Sequence, residues 1–436
     1  MGRKTAQRLT IIHPDCAGID IGGKSHFVAV DPALSDEPVR SFDSFTDDLE
    51  RLADWLSECG VTIVAMESTG VYWIPVYEVL ERRGFEVHLV NPRATKQVSG
   101  RKSDVLDCQW LWQLMSYGLL KGAFRPAEQV CQLRAYVRQR SRLVGDQSRS
   151  VQHMQKALSE MNVQLANVLS DVTGKTGMQI LRAIVAGERD AHQLAQYRNA
   201  RVKADEDTIA RSLRGTWREE HVFALAQALQ RYDLYAVQIA ACEQCIVESS
   251  KMLCLDVEVV PASGRHSWEK QLRSLLHASL GVDLTAIPCI GIETTLMVAS
   301  ELGADLSRFP SSAHFCSWLT LAPGTRISGG KKLPGRGPSA VNRLGQALRM
   351  AAATARTSQS FIGASHRARL ARLDKPRAIK ATAHQLARLI YAMLTKGEDY
   401  VERGMQAFEE TRRDKSVHAL RRRAKALGFT VIENAA

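Results

Sequence analysis

The stretch Cys16-Ala17-Gly18-Ile19-Asp20-Ile21 sets a carboxylate into a short apolar run, and this pattern decides how the N-terminal quarter of the chain folds. The apolar residues predict a buried strand. An ionised Asp20 at the end of such a strand is costly unless a partner neutralises its charge. We expect divalent cations to be that partner.

Three further acidic residues follow in the same part of the chain. Glu67 ends a second apolar run, and Asp104 and Asp107 open a helical segment. Acids three residues apart in a helix project to one face. Mg²⁺ prefers carboxylate oxygens, and two such ions about 4 Å apart clamp the attacking and leaving oxygens of a phosphodiester. We therefore predict that all four acids bind Mg²⁺ or Mn²⁺, although each taken alone also fits a helix cap or a surface charge.

The charge balance of the chain favours a polyanionic partner. Its 436 residues carry a formal net charge of +12, and its isoelectric point is near 9.3. The 45% hydrophobic and 24% charged content is typical of a folded protein rather than a disordered chain, and the length is sufficient for two or three domains. No apolar window is long enough to cross a bilayer, and the first residues lack the hydrophobic core of a secretion signal. We expect no membrane partner and a cytoplasmic location.

Cysteine usage gives little functional information. The chain has nine cysteines in scattered, mostly core-like positions, which indicates reduced thiols rather than a disulfide framework. Cys242 and Cys245 form one CxxC, but no second ligand pair follows at zinc-like spacing. Because this pair lies in a helical pattern, we favour a helix over a zinc site.

From Cys16 to Met115, short β-rich runs alternate with helical stretches. The predicted strands are Cys16–Ile21, His26–Asp31, Val39–Phe42, Thr62–Glu67 and Glu86–Val90. The predicted helices run from Thr46 to Glu58, from Val71 to Arg83 and from Asp104 onward, with Thr46 and Ser103 as N-cap residues. A three-strand meander followed by strand and helix alternation is the order of a ribonuclease-H-like α/β domain. Ligands of such open sheets gather at the strand ends.

Two long helical stretches follow. The first has a seven-residue repeat, Val130, Val137, Val144, Val151, Leu158 and Leu165, which predicts a coiled-coil seam. Arg140 and Gln147 interrupt the second seam position. The other stretch runs from Leu225 to Leu253, and the two either pair as antiparallel arms of one subunit or join different subunits.

These patterns divide the chain into four regions. They are an α/β domain over residues 10–125, a coiled coil with an inserted helical region over 126–260, a mainly helical C-terminal domain over 278–400, and a basic tail over 401–436. The C-terminal domain has a glycine- and proline-rich interruption from Pro323 to Pro338. The tail fits a solvated helix as well as a phosphate-binding one.

The interruption contains the second group of candidate functional residues, around Ser328-Gly329-Gly330. A serine before two glycines is sterically open, and cationic neighbours stabilise the charge that develops on a phosphoryl group under attack. Taken alone, the motif is a flexible turn. The residues predicted to contact nucleic acid are Lys102, Arg326, Lys331, Lys332, Arg336, Arg343 and Arg349.

The first strand and the residues after it allow a second interpretation. Asp20-Ile21-Gly22-Gly23-Lys24 also resembles the phosphate loop of sugar kinases and actin-like ATPases, where backbone amides approach the phosphates. Those proteins also have a second acidic-glycine loop and an adenosine-binding turn. The sequence contains neither pattern.

The motifs together resemble the DEDD insertion-sequence transposases related to the Piv invertases, which are described as bridge-RNA-guided recombinases. The matching N-terminal residues are Gly18-Ile19-Asp20, Glu67-Ser68-Thr69-Gly70-Val71-Tyr72, Val90-Asn91-Pro92 and Lys102-Ser103-Asp104-Val105-Leu106-Asp107. The matching C-terminal residues are Ile287-Pro288-Cys289-Ile290-Gly291, Phe315-Cys316-Ser317-Trp318-Leu319-Thr320-Leu321-Ala322-Pro323 and Ser328-Gly329-Gly330. The motifs occur in the family's order at both ends of the chain.

The resemblance implies a RuvC-like domain, a coiled coil for assembly and a C-terminal transposase domain. By this analogy the four acids hold Mg²⁺, and Ser328 forms a transient phosphoserine link to a cleaved DNA strand. It also implies a homo-tetramer, a dimer of dimers, in which one subunit supplies the acids and another the serine. A noncoding bridge RNA would pair with donor and target DNA. The alternatives are a metal-dependent junction endonuclease without a covalent intermediate and a non-catalytic nucleic-acid scaffold.

Overall fold

The computed structural model describes residues 10–67, 70–90, 104–254, 267–324, 326–333 and 342–432. The chain divides into two compact units, Met1–Arg125 and Pro126–Ala436. Each unit is described by itself. The mixed α/β N-terminal unit and the almost entirely helical second unit confirm the predicted α/β plus α fold class.

The N-terminal unit contains a five-stranded sheet and three described helices. In chain order they are β1 Cys16–Ile21, β2 Ser25–Ala29, β3 Val39–Asp43, α1 Thr46–Glu58, β4 Ile63–Glu67, α2 Trp73–Arg82, β5 Glu86–Val90 and α3 Asp104–Ser116. The strand order across the sheet is β3-β2-β1-β4-β5. The first three strands are antiparallel, and β1, β4 and β5 are parallel, so the predicted meander followed by strand and helix alternation is confirmed.

Helices cover both faces of this sheet. On one face Ile19 and Met66 pack with residues of α1 and α2 in the main core of the unit. On the other face Cys16 and Ala65 pack against Leu111 of α3. Burying an aliphatic side chain of this size contributes about 1.5–3 kcal/mol. Because successive residues of a strand point to opposite faces, Asp20 and Glu67 lie on the α3 side.

One predicted cap in this unit is wrong, and another lies outside the described residues. Helix α1 begins at Thr46 as predicted, but its N-cap is Phe45, and no side chain caps the helix. The Thr46 hydroxyl is therefore one position too late to cap. Helix α2 begins at Trp73 rather than at Val71, which places Pro75 in its first turn, where its missing N–H costs nothing. Ser103 is not among the described residues.

The second unit begins with two long helices that pair with each other. Helices α4 (Glu128–Glu160) and α9 (Glu219–Met252) are antiparallel, because Arg140 bonds to Glu243 while Gln147, further along α4, bonds to the earlier backbone oxygen of Tyr232. The pairing that the sequence left open is thus formed within one chain. The two polar seam residues make these cross-helix bonds.

Four short helices connect the long ones. They are α5 Leu165–Val168, α6 Lys175–Val185, α7 Ala191–Ala195 and α8 Glu206–Ser212. Their apolar residues, including Ile180 and Ile209, pack with the adjacent ends of α4 and α9 in one core. The inserted helical region is therefore folded onto the base of the helix pair.

The described remainder of the unit consists of helices, their connections and one hairpin. The elements are α10 Ser267–Leu280, α11 Ile292–Leu302, α12 Ser312–Trp318, β6 Arg326–Ser328, β7 Lys331–Leu333, α13 Arg343–Thr354, α14 Phe361–Leu370, α15 Lys375–Lys396 and α16 Glu398–Ala426. The sequence predicted the interruption but not its strands. The Cys242 and Cys245 pair lies inside α9, as expected. None of the described helices is both long enough and apolar enough to cross a membrane.

Candidate active site

The sheet register brings the first two acids together. In the parallel pair of β1 and β4, Ile19 is opposite Met66. The next residue is Asp20 in β1 and Glu67 in β4, and both side chains point to the face that α3 covers. Two carboxylates thus lie side by side where two central parallel strands end.

Gly18 lets helix α3 approach this position closely. It lies two residues before Asp20 on the same face of β1, and it is buried. A Cβ atom there would lie 2.2 Å from the backbone nitrogen of Trp112 and 2.4 Å from the backbone oxygen of Cys108. The backbone of α3 therefore rests on Gly18, which fixes where the helix begins relative to the strand.

The close approach determines the position of the other two acids. Asp104 and Asp107 occupy the first turn of α3 and extend the stripe that continues into buried Cys108 and Leu111. Carboxylates also suit the N-terminus of a helix electrostatically. The sequence predicted this pair but contained no signal for the contact with Gly18.

The electrostatics of Asp20 bring all four acids into one site. Burial, and after it the carboxylates of Asp104, Asp107 and Glu67, raise the pKa of Asp20 to about 6, against a smaller opposing effect of the Ile21 backbone N–H. The three other acids therefore lie close enough to repel the charge on Asp20. A bound cation would reverse this effect.

The four carboxylates are suitable ligands for a hard divalent cation, although they are not close enough together to coordinate one directly. Within the described part of the chain, no three His, Cys, Asp or Glu side chains are close enough to hold a metal ion as they stand. Like-charged carboxylates repel one another, and a divalent cation relieves this repulsion. Oxygen-only donors with a solvated edge suit Mg²⁺, which keeps several water ligands.

Aromatic residues beside the site differ in exposure. Tyr72 is 54% exposed. Its ring lies 3.5 Å from the positions that a Cβ atom would take on Gly23 and Gly70, which lie after β1 and β4. Trp73 instead packs edge-on against Tyr77 at a ring distance of 5.8 Å. Tyr72 is thus the aromatic surface next to the acids, and Trp73 belongs to the core.

In the second unit, Ser328 lies at the tip of a tight hairpin. It pairs in register with Lys331, so that Gly329 and Gly330 form a two-residue turn. Their φ angles of 55° and 74° are both in the left-handed region, which a type I′ hairpin requires and glycine tolerates. The hydroxyl of Ser328 is exposed at the end of this turn.

The segment before the hairpin is held by cationic side chains. Arg349 of α13 donates to the backbone oxygen of Thr320 at 3.2 Å and to its Oγ1 at 3.3 Å. Lys380 of α15 donates to the backbone oxygen of Ala322 at 3.1 Å. Thr320 has a φ of 59°, unusual for a β-branched residue, so these bonds hold a strained turn.

Two segments of the chain match protein-family models. Residues 17–163 match the IS110 DEDD family described as "Transposase". Residues 283–366 match the family described as "Transposase IS116/IS110/IS902 family". The chain carries IS110-family transposase domains. No curated protein matches it.

The matched segments divide the predicted residues of this transposase between them. All four acids lie in the first segment and Ser328 lies in the second. Such domains belong to the transposase of an insertion sequence, an enzyme that cuts and rejoins DNA. DNA is therefore its substrate.

The predicted DNA-contacting residues of the transposase fall into four groups. Lys102 and Arg336 lie outside the described residues, and Arg326 and Lys332 are described only as backbone of β6 and β7. Lys331 and Arg343 are exposed. Arg349 is partly buried and bonds to the turn at Thr320, a contact that no local sequence pattern indicates because the two residues are far apart in the chain.

Proposed function

We propose that this transposase cuts and rejoins DNA through a RuvC-like carboxylate site and a serine nucleophile, as members related to the Piv invertases are described. The observation that carries the proposal is the electrostatic coupling of Asp20 to the three other acids. The strand order and directions of the sheet support the RuvC-like assignment. Ser328 at the tip of a type I′ turn is accessible to a large substrate.

The acids would hold Mg²⁺ or Mn²⁺. Asp20 and Glu67 offer oxygens from the strand ends, and Asp104 and Asp107 offer oxygens from the first turn of α3. When bound, the ions supply charge neutralisation at the scissile phosphate. The residues themselves would fix the ion positions where the central strands β1 and β4 end, which limits the geometries that the phosphate can adopt.

In the chemical step, the Oγ of Ser328 attacks the phosphorus of the scissile phosphodiester. The Oγ–P bond forms as the P–O bond to the leaving sugar breaks, and the serine proton is released to solvent. A sugar hydroxyl of another strand then attacks the phosphoserine, which joins the strands and frees the serine. Because one phosphoester replaces another, the reaction needs no high-energy cofactor.

We further propose that a noncoding bridge RNA selects the donor and target DNA and that the active assembly is a tetramer. The net charge of +12 supports binding of more than one nucleic acid. Base pairing would supply sequence recognition while the protein holds backbones. Sequencing RNA that copurifies with the expressed element tests this, because random cellular RNA would contradict it.

A second function has its own support. Four acids around one position can activate water without a covalent intermediate, as in a metal-dependent junction endonuclease. In that case Ser328 is only a turn residue. A third possibility, a non-catalytic scaffold, predicts that transposition survives the combined Asp20→Asn and Asp107→Asn substitutions.

A covalent trapping experiment separates these functions. The protein is incubated with Mg²⁺, RNA and DNA carrying the element ends, and then denatured. The wild type should leave a detergent-stable protein–DNA adduct, and Ser328→Ala should form neither adduct nor cleaved strand. Ser274→Ala, at an exposed helical serine of the same unit, is the matched control. Cleavage by Ser328→Ala at the wild-type rate would establish the endonuclease instead.

A further inference from the structure

A row of basic residues follows one face of α15. Lys380, His384 and Arg388 are four residues apart, which places them one above another on the helix surface. Arg349 of α13 and Arg369 of α14 lie beside this row. We call these five residues the cationic band.

The members of the band lie close to one another, since Arg369 bonds to Thr382 and Gln385 of α15. Burial and then Arg349 lower the pKa of Lys380. Burial and then Arg388, Arg369 and Lys380 lower the pKa of His384. Burial and the neighbouring cations both disfavour the charged forms of these side chains, so the band is a cost to folding.

Carboxylates do not offset this cost. Among the residues that the structure describes, no member of the band forms an ion pair with an acid. Arg369 donates to neutral acceptors, Thr382 Oγ1 at 2.9 Å and Gln385 Oε1 at 2.7 Å. By contrast, Arg138 in the same unit binds both oxygens of Glu301. The arginines of the band thus carry positive charge that no described acid neutralises, and Arg388 is exposed.

The band borders the segment that leads to the serine hairpin. Arg349 bonds to Thr320 and Lys380 to Ala322, and the chain continues from there to β6, which ends at Ser328. A phosphate backbone lying along α15 would pass this segment. At the outer end, Arg388 is exposed and its guanidinium can bind a phosphate through two N–H groups.

We propose that the cationic band binds backbone phosphates of the DNA duplex that the serine hairpin cuts. The identity of that duplex as the cut one rests on the proposed function, whereas phosphate binding by the band does not. DNA is favoured over an acidic protein because the charges form a row rather than a pocket. A row of this kind follows a linear polyanion.

Salt-dependent binding tests the proposal. Anisotropy of a labelled, mixed-sequence DNA duplex is measured with the full-length protein at several salt concentrations. Arg388→Gln should weaken binding by about 5- to 10-fold at about 0.1 M salt and reduce the slope of log K against log salt by about 0.9. Arg388→Lys should restore the slope because it keeps the charge.

Matched variants define the outcomes. Arg211→Gln removes an exposed arginine of α8 and should leave the slope unchanged. An unchanged slope for Arg388→Gln, an equal loss for Arg211→Gln, or an effect seen with a labelled RNA but not with DNA would each overturn the proposal. Strand cleavage is measured separately. A protein that cleaves normally without band-dependent binding refutes the band alone, and one that binds through the band without cleaving refutes the proposed function alone.

Discussion

The backbone nitrogen of Trp112 lies only 2.2 Å from the position that a Cβ atom would take on Gly18. No rotamer change relieves such a contact, because both sides are backbone. The contact sets the height of α3 above β1, and with it the distance from Asp107 to Asp20. A glycine without any catalytic group therefore controls the geometry of the carboxylate site.

Gly18→Ala should destabilise the N-terminal unit by about 3 kcal/mol, at the upper end of overpacking effects, because backbone must move. It should also abolish DNA cleavage. Equilibrium urea unfolding measures the first effect. Gly145→Ala, at an exposed glycine of α4 with nothing within 4 Å, should instead stabilise by up to about 1 kcal/mol. A Gly18→Ala protein within about 0.5 kcal/mol of wild type would contradict the contact.

The sequence predicts most of the sheet and of the acidic site. Strands β1 and β5 and helix α1 begin and end where their apolar patterns indicate, because local periodicity reports burial directly. The four acids are predicted as metal ligands for the same reason, since they interrupt or end those patterns. The contact of Gly18 with α3 is not predicted by any local pattern, because it joins segments about ninety residues apart.

In the second unit as well, the sequence predicts the helices but not the contacts between them. The seven-residue repeat predicted long helices, but Val144 of the seam is 38% exposed, whereas Val137 is buried. A seven-residue apolar repeat predicts a helix but does not show which other helix packs against it. The choice of α9 depends on complementary pairs such as Arg140 and Glu243, which only the antiparallel arrangement brings together.

Arg140→Met should cost about 2–3 kcal/mol, somewhat below the range for breaking a buried ion pair because the site is partly solvated. Its guanidinium binds Glu243 at 2.9 Å and Glu293 at 3.0 Å and lies 4.6 Å from the Trp268 ring centroid. The substitution leaves two carboxylates facing each other. Thermal unfolding measures the loss. Arg149→Met, which removes an exposed pair with Asp146, should change stability by under about 0.5 kcal/mol. Equal effects would show that the network adds nothing.

Asp20→Asn should stabilise the metal-free protein. The raised pKa means that the folded state holds the Asp20 proton more tightly than the unfolded chain, so stability falls as the pH rises from about 4 through about 6. At neutral pH the substitution should recover about 1 kcal/mol, discounted because the side chain is partly solvated.

Melting curves should show that Mg²⁺ stabilises the wild type and not the Asp20→Asn variant. Asp47→Asn, in the exposed first turn of α1, should behave as wild type. A metal response retained by Asp20→Asn would remove this residue from the ligand set.

The Ser328 hairpin should respond to the backbone preference of the residue that follows the serine. Gly329 has a φ of 55°, which asparagine adopts readily and valine does not. Gly329→Asn should therefore keep most strand-transfer activity, whereas Gly329→Val should reduce it by at least about 10-fold, because a strain of 1–2 kcal/mol opens the turn and displaces the hydroxyl. Both variants keep Ser328 and change only the conformation that presents it. Adduct formation measured on one DNA substrate distinguishes them. Equal activity of the two variants would show that the chemistry does not depend on this turn, and a loss in both would indicate that the glycine itself contacts DNA.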